Sequence, residues 1–347
     1  MKHIFTFKFL IPFLFIGSLF SCQSGGNDED IPSSSSKTEI LSYSISGFSK
    51  EADIDATNRN IYLQLPESQK NGINLCPQFS LSEGAKATVN GVEQISGETT
   101  INFTSVIKYN ITAGNRQDQS TWNVTVTNNE YTNNWKLGLF LSDSRSNEGT
   151  RPDGWYLQQQ HTGEYENQNC GPAAATMAAM WSDATFFKSV EDARNAIPTS
   201  SVGGEASWHP EDVYNYLQQN GIPSEIKTMD ISTSGAQQQF YELIKDKIDN
   251  NQIVVICLSL AKITQDNSND PECRVNLYYN STNGHFLVIK GYKVVDGKNY
   301  FEIHDPWGLD LKYADGTYKG ENRYYRSDDL YAASISHNKK LVVVSLK

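Results

Sequence analysis

The chain has 347 residues, of which 38% are hydrophobic, 11% aromatic and 20% charged. At roughly 150 residues per domain that length holds about two domains with sizeable cores, which excludes a disulfide-stapled mini-protein, and the composition fits a folded soluble protein better than a disordered or multi-span membrane chain. Forty acidic residues against 29 basic ones give −11, and loss of residues 1–21 would also remove Lys2 and Lys8, so a phosphate-neutralising, nucleic-acid-binding surface is not expected.

The apolar run 9–20 follows Lys2 and Lys8. It is too short to span a bilayer and has the length of a signal-peptide core, so residues 1–21 are read as an address that is removed. The run ends in Leu19-Phe20-Ser21-Cys22, which resembles a bacterial lipobox. This resemblance implies that Cys22 is lipidated and becomes the first mature residue, so that a soluble protein is held on a membrane. Residues 22–38, with Gly25-Gly26, Asp28-Glu29-Asp30 and four serines at 33–36, form a flexible tether with nothing to bury. The acidic cluster resembles signals that send lipoproteins to the outer face of an outer membrane. The expected location is therefore the bacterial cell envelope, lipid-anchored at the outer membrane and surface-exposed.

Over residues 39–128 apolar side chains recur at every second position, as in Leu41/Tyr43/Ile45, Ile61/Leu63/Leu65, Ile107/Tyr109/Ile111 and Trp122/Val124/Val126. That period predicts half-buried antiparallel strands, with 107–111 and 122–126 paired as a hairpin across the polar interval 114–118. A small all-β sandwich follows. Ile61-Tyr62-Leu63-Gln64-Leu65-Pro66, Ile101-Asn102-Phe103-Thr104 and Lys108-Tyr109-Asn110-Ile111-Thr112-Ala113 followed by Trp122-Asn123-Val124-Thr125-Val126 resemble the immunoglobulin-like modules of bacterial surface lipoproteins. The resemblance implies a stalk or a binding module, and no cluster of catalytic residue types lies within it. A passive spacer is the favoured reading.

From residue 131 to 347 helical spacing mixes with short apolar strands, an α+β pattern. Of five cysteines, Cys76, Cys170, Cys257 and Cys273 remain beside Cys22. Their spacing matches neither a disulfide framework nor paired metal ligands. Cys257 lies in the apolar run 253–258, a buried strand, and Cys273 in a polar loop. Asn169-Cys170-Gly171-Pro172 precedes a run of strong helix formers with Met177, Met180 and Trp181 at helical spacing, which predicts a packed helix starting at Cys170. A thiol at a helix N-terminus gains from the dipole, which favours its nucleophilic thiolate form.

A cysteine hydrolase also needs a base for the thiol and a third group to orient it. Among six histidines, His3 leaves with the signal, His337 lies in a polar turn, and His209 before Pro210 fits a helix cap. His285 instead opens the strand 285–292. The turn Asp296-Gly297 and the strand 300–303 then make a hairpin whose end carries His304-Asp305-Pro306. Antiparallel pairing places Asp305 near His285, and His304 alternates to the other face.

Asn169-Cys170-Gly171-Pro172, then Gly284-His285-Phe286-Leu287-Val288-Ile289-Lys290-Gly291-Tyr292, then Asp305-Pro306, in that order, resemble the papain-like cysteine peptidases of the bacteriocin-processing type over roughly residues 155–330. The resemblance implies a papain-like α+β fold with Cys170 as nucleophile, His285 as base and acid, and Asp305 as orienting residue, without metal or organic cofactor. It also implies an oxyanion-donating Gln upstream. Gln158, Gln159 and Gln160 form the candidate run, and Gln160 is favoured. Pocket residues are expected from the loops 200–207 and 263–281. The expected activity is hydrolysis of a peptide or protein substrate by a monomer. Alternatives are a streptopain-like protease, an amide-transferring enzyme with the same triad, and a catalytically silent surface-binding or adhesion lipoprotein on the same scaffold.

Overall fold

The computed structural model describes residues 35–69, 74–129, 137–151, 154–229 and 234–347. The expected signal segment 1–21, Cys22 and nearly all of the tether 22–38 lie outside them. No helix among the described residues is long and apolar enough to cross a membrane.

The first part is built of short strands: β1 (Ile40–Ile45), β2 (Asp53–Asp55), β3 (Asn60–Gln64), β4 (Asn74–Leu75), β5 (Pro77–Leu81), β6 (Lys86–Val89), β7 (Val92–Glu93), β8 (Ile101–Asn102), β9 (Ile107–Thr112) and β10 (Gln119–Thr127). The period-two pattern works as expected except at Leu41, which is exposed where a register shift between Ile40 and Ser42 interrupts the alternation of β1. Tyr109 and Ile111 of β9 and Trp122, Val124 and Val126 of β10 are all buried in one core, and the two strands pair antiparallel with Trp122 opposite Tyr109. One expectation fails. The main sheet, β2-β3-β10-β9-β6-β7, is not wholly antiparallel, because β10 runs parallel to β3 with Val124 beside Ile61. Strand alternation fixes which face is buried but says nothing about the direction of a partner distant in sequence.

The second part contains β11 (Leu141–Ser146), α1 (Cys170–Ser182), α2 (Val190–Ala196), α3 (Pro210–Gln219), β12 (Ser224–Thr228), α4 (Ala236–Asp249), β13 (Gln252–Ser259), β14 (Gly284–Val295), β15 (Lys298–His304), β16 (Arg323–Arg326), α5 (Ser327–Ile335) and β17 (Lys340–Ser345). Its antiparallel sheet runs β12-β17-β13-β14-β15-β16, and β11 pairs with the far end of β14. The sheet is covered on both faces, which explains why β13 is continuously apolar. Ile253, Val255 and Cys257 share a core with α1 and α3, while Val254, Ile256 and Leu258 share the opposite core with α4 and α5. Each such buried aliphatic contributes about 1.5–3 kcal/mol relative to exposure.

Side chains tie the parts together, Asn128 and Asp296 among them. Asn128 exchanges hydrogen bonds with the backbone of Leu141, 2.7 Å each way, and the Asp296 carboxylate accepts from Leu139 N–H at 3.0 Å and Phe140 N–H at 2.9 Å.

Helix α1 starts at Cys170 as the sequence predicts, and it is buried almost all round. Ala173, Ala174, Ala175, Ala178 and Ala179 have no exposed surface, and their small side chains let the helix lie close to the sheet. Met177 and Trp181 point into the core; Met180 is only half-buried. At its first turn the approach is tightest, because a Cβ on Gly171 would fall 2.7 Å from Trp208 Cβ and 3.4 Å from Phe286 Cδ2. Gly171→Ala must therefore push α1 off its seat. A loss of about 1–3 kcal/mol is expected by denaturant unfolding, together with slower alkylation of Cys170; unchanged values for both would refute this account of the helix seat.

Candidate active site

The tight seat of α1 brings Cys170 against the start of β14. His285, with the backbone of Phe286 and Gly171, acts on the sulfur to favour its ionised form. His285 Nε2 lies 2.7 Å from Asp305 Oδ1. With that nitrogen committed to the carboxylate, Nδ1 is the one left for the thiol. Asp305 sits one residue past the end of β15, whose His304 is registered with Val288 of β14. The hairpin thus brings the carboxylate back beside the first residues of β14.

Asp305 is completely buried. A bare carboxylate there would be costly, so its hydrogen-bond partners decide whether the site can exist. Besides His285, Oδ1 accepts Trp307 N–H at 2.9 Å, and Oδ2 accepts the hydroxyls of Tyr279 and Tyr325, each at 2.9 Å. Burial would raise its pKa, but the charge and hydrogen bond of His285, with the Trp307 and Tyr279 donors, hold it below the usual carboxylate value. The Asp-Pro turn and the partner of His285 are the same residue, since the Trp307 bond closes the turn.

The electrostatics of the pair run in opposite directions. Burial alone would raise the Cys170 thiol, yet the hydrogen bond and charge of His285, with the Phe286 and Gly171 backbone, bring it below the ordinary thiol value. Burial alone would lower His285, yet Asp305 and then the thiol hold the imidazole up to about 10. The arrangement therefore favours a thiolate beside an imidazolium. By contrast, burial pushes the Cys257 thiol up, as befits a core residue. Cys273 is also buried, with its sulfur 3.6 Å from Val275 carbonyl oxygen. Among the described residues all four cysteines are free, and no group of three or more His, Cys, Asp or Glu could hold a metal.

A cleft of about 340 Å³ opens onto the pair, lined by Gln159, Asn167, Leu260, Tyr279, Asn280, Ser281, Asn283, Gly284 and Trp307. Gln160 is not among them, so the glutamine beside the thiol is Gln159 rather than the expected residue. The reason is alternation along an extended segment. Gln159 N–H donates to Pro306 carbonyl at 2.8 Å, and its buried side chain turns to the cleft, with Nε2 donating to Glu166 carbonyl at 2.7 Å. Gln158 turns out to Asp310, and the Gln160 amide is buried without a partner among the described residues. Period two from buried Trp155 would have picked Gln159. The loop 200–207 also stays away from the cleft, because Ser200 and Ser201 are tied to the Asp212 carboxylate at the start of α3. The loop 263–281 contributes only its end. Tyr279 and Tyr325 carried no sequence signal, since neither lies in a motif and they reach Asp305 from 26 and 20 residues away.

The other histidines lie elsewhere. His209 is the N-cap residue of α3, but the capping bond comes from Asp212, which accepts His209 N–H at 2.8 Å. His161 is exposed and paired with Asp310 at 2.7 Å. His337 packs against Gly284, where a Cβ would fall 2.6 Å from its Nε2. A larger cavity of about 550 Å³ between α4 and α5, lined by Gly235, Lys298, Arg326 and Tyr331 among others, contains no cysteine or histidine.

A protein-family comparison assigns residues 155–331 to the peptidase C39-like family. The chain belongs to that family. Residues 40–126 match a second family, described as SGBP, N-terminal. Among solved structures, a candidate C39-like peptidase from Bacillus anthracis is similar at 13% identity over 59% of this chain and 98% of that one, with a TM-score of 0.37. A candidate glycoside hydrolase from Bacteroides thetaiotaomicron is similar at 14% identity over 92% of this chain and 98% of that one, with a TM-score of 0.22. No curated protein matches by sequence. The protein is thus two-part, a sheet-rich N-terminal region followed by a C39-like domain.

The opposed shifts generate a pH prediction. The ion pair forms as pH rises through the lowered Cys170 value and is lost as His285 deprotonates near 10. Iodoacetamide labelling of Cys170, followed on its own peptide by mass spectrometry, should have its pH midpoint below that of an ordinary thiol. His285→Ala should return its midpoint toward the free-thiol value of about 8.5. An unaltered midpoint in that variant would show that the imidazole does not act on the sulfur.

Proposed function

We propose that this protein is a cysteine peptidase of the cell envelope, in which Cys170, His285 and Asp305 form the catalytic triad and Gln159 helps to hold the oxyanion. The buried 2.7 Å contact between His285 and Asp305, next to a thiol at a helix N-terminus whose pKa the imidazole lowers, carries this reading. The nucleophile-bearing helix, the base-bearing strand and an acid at the end of the next strand support a papain-like assignment. The finer assignment to the bacteriocin-processing type rests on Asn169-Cys170-Gly171-Pro172 and the two later motifs.

The Cys170 thiolate attacks a peptide carbonyl carbon, forming a C–S bond and pushing the carbonyl electrons onto oxygen. Gln159 has one N–H engaged with Glu166, which leaves its second N–H and the Cys170 backbone N–H for that oxygen. The imidazolium of His285 gives its proton to the leaving nitrogen as the C–N bond breaks. The neutral ring then takes a proton from water, whose oxygen attacks the thioester carbon; the C–S bond breaks, releasing the acid and restoring the thiolate beside the imidazolium. Asp305 stays ionised and fixes the ring throughout.

Cys22 after the apolar run supports a lipid anchor, and the likeness of residues 40–126 to the SGBP N-terminal family supports an envelope location. In this reading the N-terminal region, which we take as immunoglobulin-like, carries the peptidase away from the membrane or binds a surface partner.

A peptide library cleaved by the mature protein and left intact by Cys170→Ala is the deciding experiment; equal cleavage by both would remove the assignment. Gln159→Ala should lower kcat by about 10²–10³-fold, as loss of one oxyanion donor does elsewhere, with Gln160→Ala near wild type. The opposite ranking would return the role to Gln160. Products joined to an added amine, in place of hydrolysed ones, would favour amide transfer by the same triad.

A further inference from the structure

Arg194 on α2 is 5% exposed, yet it forms no ion pair among the described residues. Its donors go to neutral oxygens instead. Nε donates to Asn169 Oδ1 at 2.7 Å, Nη2 to Gln168 carbonyl at 3.1 Å, and Nη1 to the carbonyls of Pro198 at 3.1 Å and Ala206 at 2.6 Å. Tyr165 and Trp208 cover the guanidinium at 5.5 and 5.8 Å. Two of its four acceptors belong to the residues immediately before Cys170. Asn169 is itself fully buried, and its Nδ2 donates to Thr162 Oγ1 at 2.9 Å, so the guanidinium, Asn169 and the loop after Gln159 form one braced unit.

We propose that Arg194 is a positioning residue for Cys170: its fork fixes the segment that delivers the thiol, and its buried, unpaired charge favours the thiolate. The inference rests on the reading of Cys170 as nucleophile. The groups coupled to the sulfur by charge are His285 from β14, Cys257 from β13 and Arg194 from α2, whose guanidinium is bonded to the two residues before Cys170. Cys257 is neutral, so the guanidinium held against Asn169 and Gln168 is a positive charge on the Cys170 side in addition to the imidazolium. The acid nearest to Arg194 in effect is Asp212, but its carboxylate is spent on Ser200, on Ser201 N–H at 2.9 Å and on His209 N–H at 2.8 Å. The cation therefore stays uncompensated on the thiol side and adds to the positive end of α1.

The test compares the full chain with Arg194→Met and Arg194→Lys by three readouts: the pH midpoint of Cys170 carbamidomethylation on its own peptide, kcat on a cleaved peptide, and the melting temperature. Arg194→Met should raise the midpoint by about one pH unit, which is about tenfold slower labelling below it. Arg194→Lys should keep most of the charge effect but lower kcat several-fold, since a point charge cannot bridge Asn169 and Gln168 together. A lower melting temperature in Arg194→Met with an unmoved midpoint would reduce Arg194 to a packing role and overturn the proposal. If Arg194→Met does not fold, Arg194→Lys decides: wild-type kcat and midpoint would overturn it, and reduced kcat at a wild-type midpoint would support it. Labelling reads the thiol itself, so a failure of the peptidase reading, seen as cleavage by Cys170→Ala, stays distinguishable from a failure here.

Discussion

The contact between His285 and Asp305 constrains everything around it, because a carboxylate without solvent cannot be kept ionised by one partner. Its remaining acceptor capacity is filled from three places: the loop before β14 through Tyr279, the strand β16 through Tyr325, and the turn after β15 through Trp307. Each hydrogen bond to a charged group contributes about 1.5–3 kcal/mol, against a desolvation cost of several kcal/mol per buried ion. The site is therefore stable only when the hairpin register, the loop and β16 are all formed. The loop is itself held by the fully buried Arg323, which donates to the carbonyls of Cys273 at 2.9 Å and Val275 at 3.1 Å and to that of Asn276. Chemistry and fold are thus not separable on this side of the sheet.

On the other side the requirement is steric rather than electrostatic. A thiol at a helix N-terminus is useful only if the helix end meets the base, and α1 meets it because Gly171 and five fully buried alanines let it lie close to the sheet. Glycine at 171 removes the one Cβ that would collide with Trp208. Trp181 then anchors the far end of the helix through Nε1, which donates to Asn147 carbonyl at 2.9 Å. The sulfur position follows from packing at both ends of α1, and the imidazole position from hydrogen bonding within the sheet.

The parts of this site that were legible in the sequence are those set by local pattern. A proline two residues after Cys170 and an alanine-rich run mark a helix start, and an Asp-Gly turn between two apolar runs marks the hairpin that returns Asp305 to His285. What was illegible depends on distant partners or on parity. Tyr279 and Tyr325 reach Asp305 from 26 and 20 residues away, and nothing in a tyrosine's neighbours announces such a bond. Gln159 and Gln160 differ by one position in an extended segment, where one step exchanges the cleft for the opposite side. The parallel pairing of β3 with β10 joins segments some sixty residues apart, 63 at the Asn123–Asn60 side-chain bond. The loop 200–207 looked free because its serines are polar, yet those serines serve Asp212.

The choice among histidines shows how partner, rather than burial, sets function. His285 and His304 are 5% and 2% exposed and lie on adjacent paired strands of one sheet. His285 has a carboxylate against one nitrogen and a thiol near the other, and is held protonated up to about 10. His304 instead packs on Trp155, with ring centroids 4.2 Å apart, and its Nδ1 accepts Asn322 N–H at 3.3 Å. Burial comes first in pushing its pKa well below the ordinary value, and the buried cation of Lys290 adds to it. A ring kept neutral in that way can brace an aromatic cluster but cannot hold a thiolate. The sheet therefore buries two imidazoles almost equally, and the carboxylate one residue beyond the second of them charges only the first.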